Sequence, residues 1–146
     1  MRSLALLALT TAALAGATSL AAAESTPGVL VVYQETGGSA NLDRRLSVKG
    51  DGRLVAKSEQ PVVASCSSRL ASGQLRTLRR ALKNSDFATL AAQYGSDPDA
   101  VTSRIRYAGR TVRAQRGSEP VRLRSATELL RRLLVQRLAL CRKLGR

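Results

Sequence analysis

The stretch Arg44–Ser58, RRLSVKGDGRLVAKS, decides the fold class. Leu46 and Val48 alternate with polar neighbours, which places them together on one face of a strand. Lys49-Gly50-Asp51-Gly52 then supplies turn chemistry, because glycine tolerates the backbone angles of a tight reversal. Arg53–Ser58 resumes the strand pattern, so the two runs predict an antiparallel hairpin.

The same logic extends in both directions. Val29–Gln34 (VLVVYQ) is a β-branched run and reads as a strand, which Thr36-Gly37-Gly38-Ser39 breaks with a flexible loop. Val62–Cys66 (VVASC) is either one more short strand or an extended lead-in. Thr102–Tyr107 and Arg110–Gln115 flank Ala108-Gly109 and predict a second hairpin. Its Ile105 and Tyr107 alternate with Arg104 and Arg106, giving one apolar and one wet face.

Two segments carry the helical period. In Ser72–Lys83, Leu75, Leu78 and Leu82 share a face while Arg76, Arg80 and Lys83 lie opposite. Asn84 is placed to close this helix in the left-handed conformation. Phe87–Ala92 reads as a further helical turn, and Ser96–Asp99 as a polar loop. Near the end, Ser125-Ala126-Thr127-Glu128 fits a capping box at the start of a last helix. Ala126, Leu130, Leu133, Leu134, Leu138 and Cys141 form its inward stripe, and Arg142 and Lys143 suit its C-terminal dipole. These elements predict an α+β fold: an antiparallel sheet of about four to five strands with two main helices packed on one face.

Composition then limits the chemistry. The chain has 146 residues, 24 of them Lys or Arg and 10 Asp or Glu, with no histidine and no tryptophan. Without histidine there is no Ser-His-Asp triad, no Cys-His dyad and no histidine-bearing zinc site. Arg2, the apolar run Leu4–Ala15 and the small residues Ala21-Ala22-Ala23 have the layout of an export signal. The competing state is an uncleaved anchor, against which Gly16, Thr18 and Ser19 interrupt the apolar stretch. The expected organisation is a signal peptide over residues 1–23 and one domain over 24–146, starting at Glu24 and secreted or periplasmic. After cleavage no transmembrane segment is expected.

Export changes the meaning of Cys66 and Cys141. An even cysteine count in an oxidising compartment favours a disulfide, and Cys141 lies on the inward stripe. Two buried free thiols are the alternative. The carboxylates Glu35, Asp43, Asp51, Glu59, Asp86, Asp97, Asp99, Glu119 and Glu128 are scattered, mostly at turns or beside helix caps. No catalytic pair, metal site or cofactor is expected from them, and the protein is read as having no enzymatic activity. Arginine outnumbers lysine 20 to 4, and arginine suits bidentate contacts to phosphate and carboxylate. Export and the scarcity of aromatic residues argue against nucleic acid as the partner. A basic surface that includes Arg76, Arg80, Lys83, Arg104 and Arg106 instead suits anionic envelope polymers or lipids.

One ordered set of fragments goes further. Leu46–Leu54 (LSVKGDGRL), Gln74–Leu82 (QLRTLRRAL), Ser85–Leu90 (SDFATL), Tyr94-Gly95, Ile105–Val112 (IRYAGRTV) and Pro120 before the leucine-rich helix occur in that order. Together they resemble the small bacterial emfourin-like proteins, whose named member inhibits the thermolysin-type metalloprotease protealysin. The likeness spans nearly all of the chain after the leader, including Tyr33 and Gly37-Gly38. Its motifs are mostly turns and core positions, so they bear on fold more than on activity. The resemblance implies an inhibitor of a thermolysin-type metalloprotease. Members of that family need not be exported, and it is the leader here that points to a secreted or periplasmic target. The physical route is a rigid loop in the cleft. Gly37, Gly38 and Ser39 are the preferred loop, because glycine lets backbone approach closely. A plain hairpin connection is the other account of those residues. The alternative function is a basic envelope-associated module that binds anionic polymers or lipids.

Overall fold

A computed structural model describes residues 28–144, so the leader expected over 1–23 and the start at Glu24 lie outside the described residues. Seven strands are present: β1 (Val29–Gly37), β2 (Leu42–Lys49), β3 (Arg53–Gln60), β4 (Ala64–Arg69), β5 (Gln93–Tyr94), β6 (Thr102–Tyr107) and β7 (Arg110–Gln115). The helices are α1 (Ser72–Asn84) and α2 (Val121–Leu144), and a short 3-10 turn covers Phe87–Thr89. Across the sheet the strands run β4-β3-β2-β1-β6-β7-β5. All neighbours are antiparallel except β5 and β7, which pair in parallel.

The architecture is therefore α+β, with a sheet that is larger than expected and mixed instead of purely antiparallel. Seven strands exceed the four to five expected, and β5, with two residues, is too short for alternation to reveal. β4 begins at Ala64, beyond the valines expected to start it. Val62 and Val63 are exposed, so their β-branched side chains sit in the connection and not in the strand.

Alternation sorts the strands onto two faces. On one face Val31 and Tyr33 of β1, Leu46 and Val48 of β2, Leu54 and Ala56 of β3, and Ile105 of β6 are all buried. Leu78 and Leu82 of α1 and Leu123, Ala126, Leu130, Leu134 and Leu138 of α2 complete the same core. Both helices thus cover this face, as the leucine spacing requires. Burying each large aliphatic side chain contributes roughly 1.5–3 kcal/mol, so the covered face supplies most of the driving force.

Two helix boundaries differ from expectation. The capping box at Ser125–Glu128 does not form, because α2 starts one turn earlier at Val121. The Pro120 carbonyl accepts from the N–H groups of Leu123 at 2.8 Å and Arg124 at 3.1 Å. Proline suits that entrance, where its missing N–H costs no hydrogen bond. At the end of α1 the left-handed residue is Asp86 (φ 47°), and not Asn84. Ser85 stays right-handed and buried because its Oγ donates to the Ala81 carbonyl at 2.8 Å.

Cys66 of β4 and Cys141 of α2 are joined in a disulfide, with Cα atoms 6.1 Å apart. The bridge spans 75 residues of sequence, which in the chain-entropy view contributes roughly 4 kcal/mol. It fastens the last turns of α2 to the outermost strand on that side.

Candidate functional site

Three features stand out from the core, and each follows from strand parity. The first is a buried polar cluster. Glu35 shares the parity of Val31 and Tyr33 on β1, so it points under α2 and is 1% exposed. Its Oε1 accepts from Tyr33 Oη at 2.8 Å and from Arg131 Nε at 2.8 Å, with Arg116 Nη2 at 3.6 Å. Arg131 also donates to Glu119 Oε1 at 3.3 Å. The Tyr33 hydroxyl proton goes to Glu35, so Ser103 Oγ, 3.2 Å away, donates to the phenol oxygen. Burial, and then the Glu35 charge, push the Tyr33 phenol well above its ordinary range. Burial works against the Arg131 charge, but its bonds to Glu35 and Glu119 outweigh that and hold the guanidinium firmly protonated.

Glu35 is thus not a turn or cap residue, whereas Glu119 does stand at the α2 entrance, where its Oε2 accepts from Gly117 N–H at 2.7 Å. They fasten α2 and the segment before it to the central strand. The signal for Glu35 was present in the sequence, two residues beyond Tyr33 on the inward parity. The signal for Arg131, which lies 96 residues away, was not.

The second feature is the β1–β2 reversal. The loop expected at Thr36–Ser39 is a tight turn, since Thr36 and Gly37 belong to β1 and Gly38–Asn41 make the reversal. Asn41 N–H donates to the Gly38 carbonyl at 2.9 Å, and Asn41 Nδ2 donates to Gln60 Oε1 at 2.6 Å. Gly38 has φ 73°, and a Cβ there would lie 2.6 Å from Cγ2 of Val101. Gly37 has φ 85°, with the Ala100 carbonyl 3.1 Å from where its Cβ would stand. The glycines therefore brace the turn against residues 100–101. Ser39, Ala40 and Asn41 form the exposed tip.

The third feature is the uncovered face of the sheet. Register places Lys57 beside Arg45, Arg45 beside Gln34, Gln34 beside Arg104, and Arg104 beside Arg113. All four cations of this row are exposed, and Arg106 lies two residues along β6 on the same face. Among the described residues, none of these five meets a carboxylate at ion-pair distance. A shallow depression of about 120 Å³ lies between Val32, Gln34, Arg45, Arg104 and Arg106. The five basic residues singled out from sequence are divided by the fold. Arg104 and Arg106 lie on the open face, whereas Arg76, Arg80 and Lys83 are exposed along α1 in the opposite layer. Arg45, Lys57 and Arg113 were missed because charge alone does not show which strands become neighbours.

These features define the class: an α+β protein with a mixed seven-stranded sheet, two helices on one face and a bare basic face behind. No family model matches the chain, and no curated protein matches it. Among the described residues no helix is long and apolar enough to cross a membrane, and no group of three or more potential ligands is gathered for a metal ion.

Proposed function

We propose that the protein is a secreted or periplasmic inhibitor that blocks a thermolysin-type metalloprotease stoichiometrically, without chemistry of its own. The observation that carries the proposal is the braced β1–β2 turn. Its exposed tip, Ser39–Asn41, follows Gly38, which lies too close to Val101 to admit a side chain, and is tied to Gln60 through the Asn41 amide. A tip already fixed in shape loses little freedom on entering a cleft, which lowers the ordering cost of binding. The resemblance to emfourin-like proteins supports the inhibitor class, and not a particular end of the molecule. The chain brings no histidine to the protease zinc, and its two cysteines are bonded to each other. Inhibition then rests on shape and buried area around a few tip residues.

Titrating a panel of thermolysin-type proteases with the folded protein tests this. Activity should fall to zero at an equimolar ratio and stay there when zinc is added in excess. Ala40→Trp, at the exposed tip, should weaken inhibition by about tenfold or more while leaving the melting temperature in place. Proteases that keep full activity at micromolar excess of the protein would overturn the proposal.

A further inference from the structure

We propose that the open face of the sheet binds a linear carboxylated polysaccharide, laid across the strands along the row Lys57, Arg45, Gln34, Arg104 and Arg113. This surface lies behind the helices and is independent of protease inhibition through the turn.

The row is a consequence of register. Five residues from five different hairpin positions fall on one line, each paired with the next. Adjacent strands stand about 4.8 Å apart, so the line from Lys57 to Arg113 runs about 19 Å. Like charges directly opposite one another destabilise a sheet, and two such pairs occur here, Arg45 with Lys57 and Arg104 with Arg113. Asp43, the acid beside Gln34 on this face, forms no ion pair with any of the four. Elsewhere arginines do find acids: Arg53 and Arg69 meet Asp51, Arg122 meets Asp86, and Arg131 meets Glu35 and Glu119. An anion along the row would relieve the repulsion that folding creates.

The chemistry of that anion follows from what else the face presents. A flexible chain with one carboxylate per sugar spaces its charges close to the strand separation, whereas a polyol phosphate spaces them wider. Arginine forks suit carboxylates, giving two parallel hydrogen bonds each. At the centre, Gln34 is shorter than the flanking arginines, and the depression there can seat a sugar ring against Val32. The Gln34 amide donates to Asp43 Oδ1 at 3.3 Å, which leaves its carbonyl oxygen for sugar hydroxyls. Base stacking has no platform, because Tyr33, Tyr94 and Tyr107 have the parity of the covered face and Phe87 packs edge-on against Tyr107. Arg53, Arg69 and Arg106 share this face outside the row, so an anionic vesicle is kept as a competing arm of the test.

The test uses the full chain with a decamer of galacturonate as probe, followed by fluorescence anisotropy at several salt concentrations. Binding should weaken with salt. The triple variant Arg45→Gln, Arg104→Gln, Arg113→Gln should lose about tenfold or more in affinity. It should melt at the same temperature as the parent or higher, since it removes repulsion. Arg76→Gln, Arg80→Gln, Lys83→Gln removes the same charge from α1 and should change affinity by less than about twofold. Equal losses in both triples would show attraction to net charge alone and overturn the proposal. So would absence of binding, or tighter binding to polyglycerol phosphate, duplex DNA or phosphatidylglycerol vesicles than to the uronate. Protease titration of the same triple should be unaffected, which keeps the two proposals separable.

Discussion

The two faces of the sheet treat charge in opposite ways. Under the helices, Glu35 and Glu119 meet Arg131 and Arg116 within hydrogen-bonding or near-bonding distance. On the bare face, Arg45, Lys57, Arg104 and Arg113 stand in line and meet no acid. Desolvation explains the first pattern, because an unpaired buried charge costs far more than its partner's entropy. Water screens the second, so the repulsion there is small enough to persist. The covered face commits its arginines to holding the fold, and the open face leaves its row without an acid at ion-pair distance among the described residues.

The strongest way to break this contrast is Arg131→Ala. Glu35, 1% exposed, would lose its 2.8 Å guanidinium partner and keep the neutral Tyr33 hydroxyl and the longer approach of Arg116. A stability loss of about 3 kcal/mol is expected, measured by urea denaturation. A loss below about 1 kcal/mol would mean that the buried pair is not what anchors α2. A smaller effect comes from Tyr33, whose phenol is held above its ordinary value near 10. Above pH 10 the unfolded chain releases that proton while the native protein retains it. Stability is therefore whole below pH 10 and falls as pH rises beyond it, by up to about 1.4 kcal/mol per pH unit. Tyr33→Phe should flatten that alkaline slope in chemical denaturation series at pH 9 to 11, and an unchanged slope would refute the assignment. The smallest effect belongs to the open face. Arg104→Gln should shift stability by no more than about 0.5 kcal/mol, towards greater stability, as read from the melting temperature. A large loss would show that the row carries structural weight after all.

Much of the fold could be read from local pattern. β6 and β7 show their limits through the alternation of Ile105 and Tyr107 with Arg104 and Arg106, broken by Ala108-Gly109. The inward stripe of α2 was visible in its leucines for the same reason, namely that one period fits one face. Local pattern failed where a longer-range partner decides. Ser125 and Glu128 have the spacing of a cap, yet Pro120 opens the helix earlier and leaves both on the exposed side. β5 exists because Gln93 and Tyr94 find β7, twenty residues on, and no feature of two residues announces that. The open row was invisible for a related reason. Its members are ordinary solvent-facing arginines and a lysine until five strands are put in order.

The connection after β5 has a bearing on how long the protein survives. Residues 95–99 are exposed, and a protease cutting there would separate β1–β4, α1 and β5 from β6, β7 and α2. The halves are nevertheless interleaved: β1 lies between β2 and β6, and β5 adds to the far side of β7. Cys66 is in the first half and Cys141 in the second, so the bridge crosses the cut. A molecule nicked there would keep its two pieces covalently joined until a reductant opened the disulfide. For a protein proposed to live among proteases, that keeps the pieces together after a cut at residues 95–99, and it gives the bond a role in endurance that is separate from its part in folding.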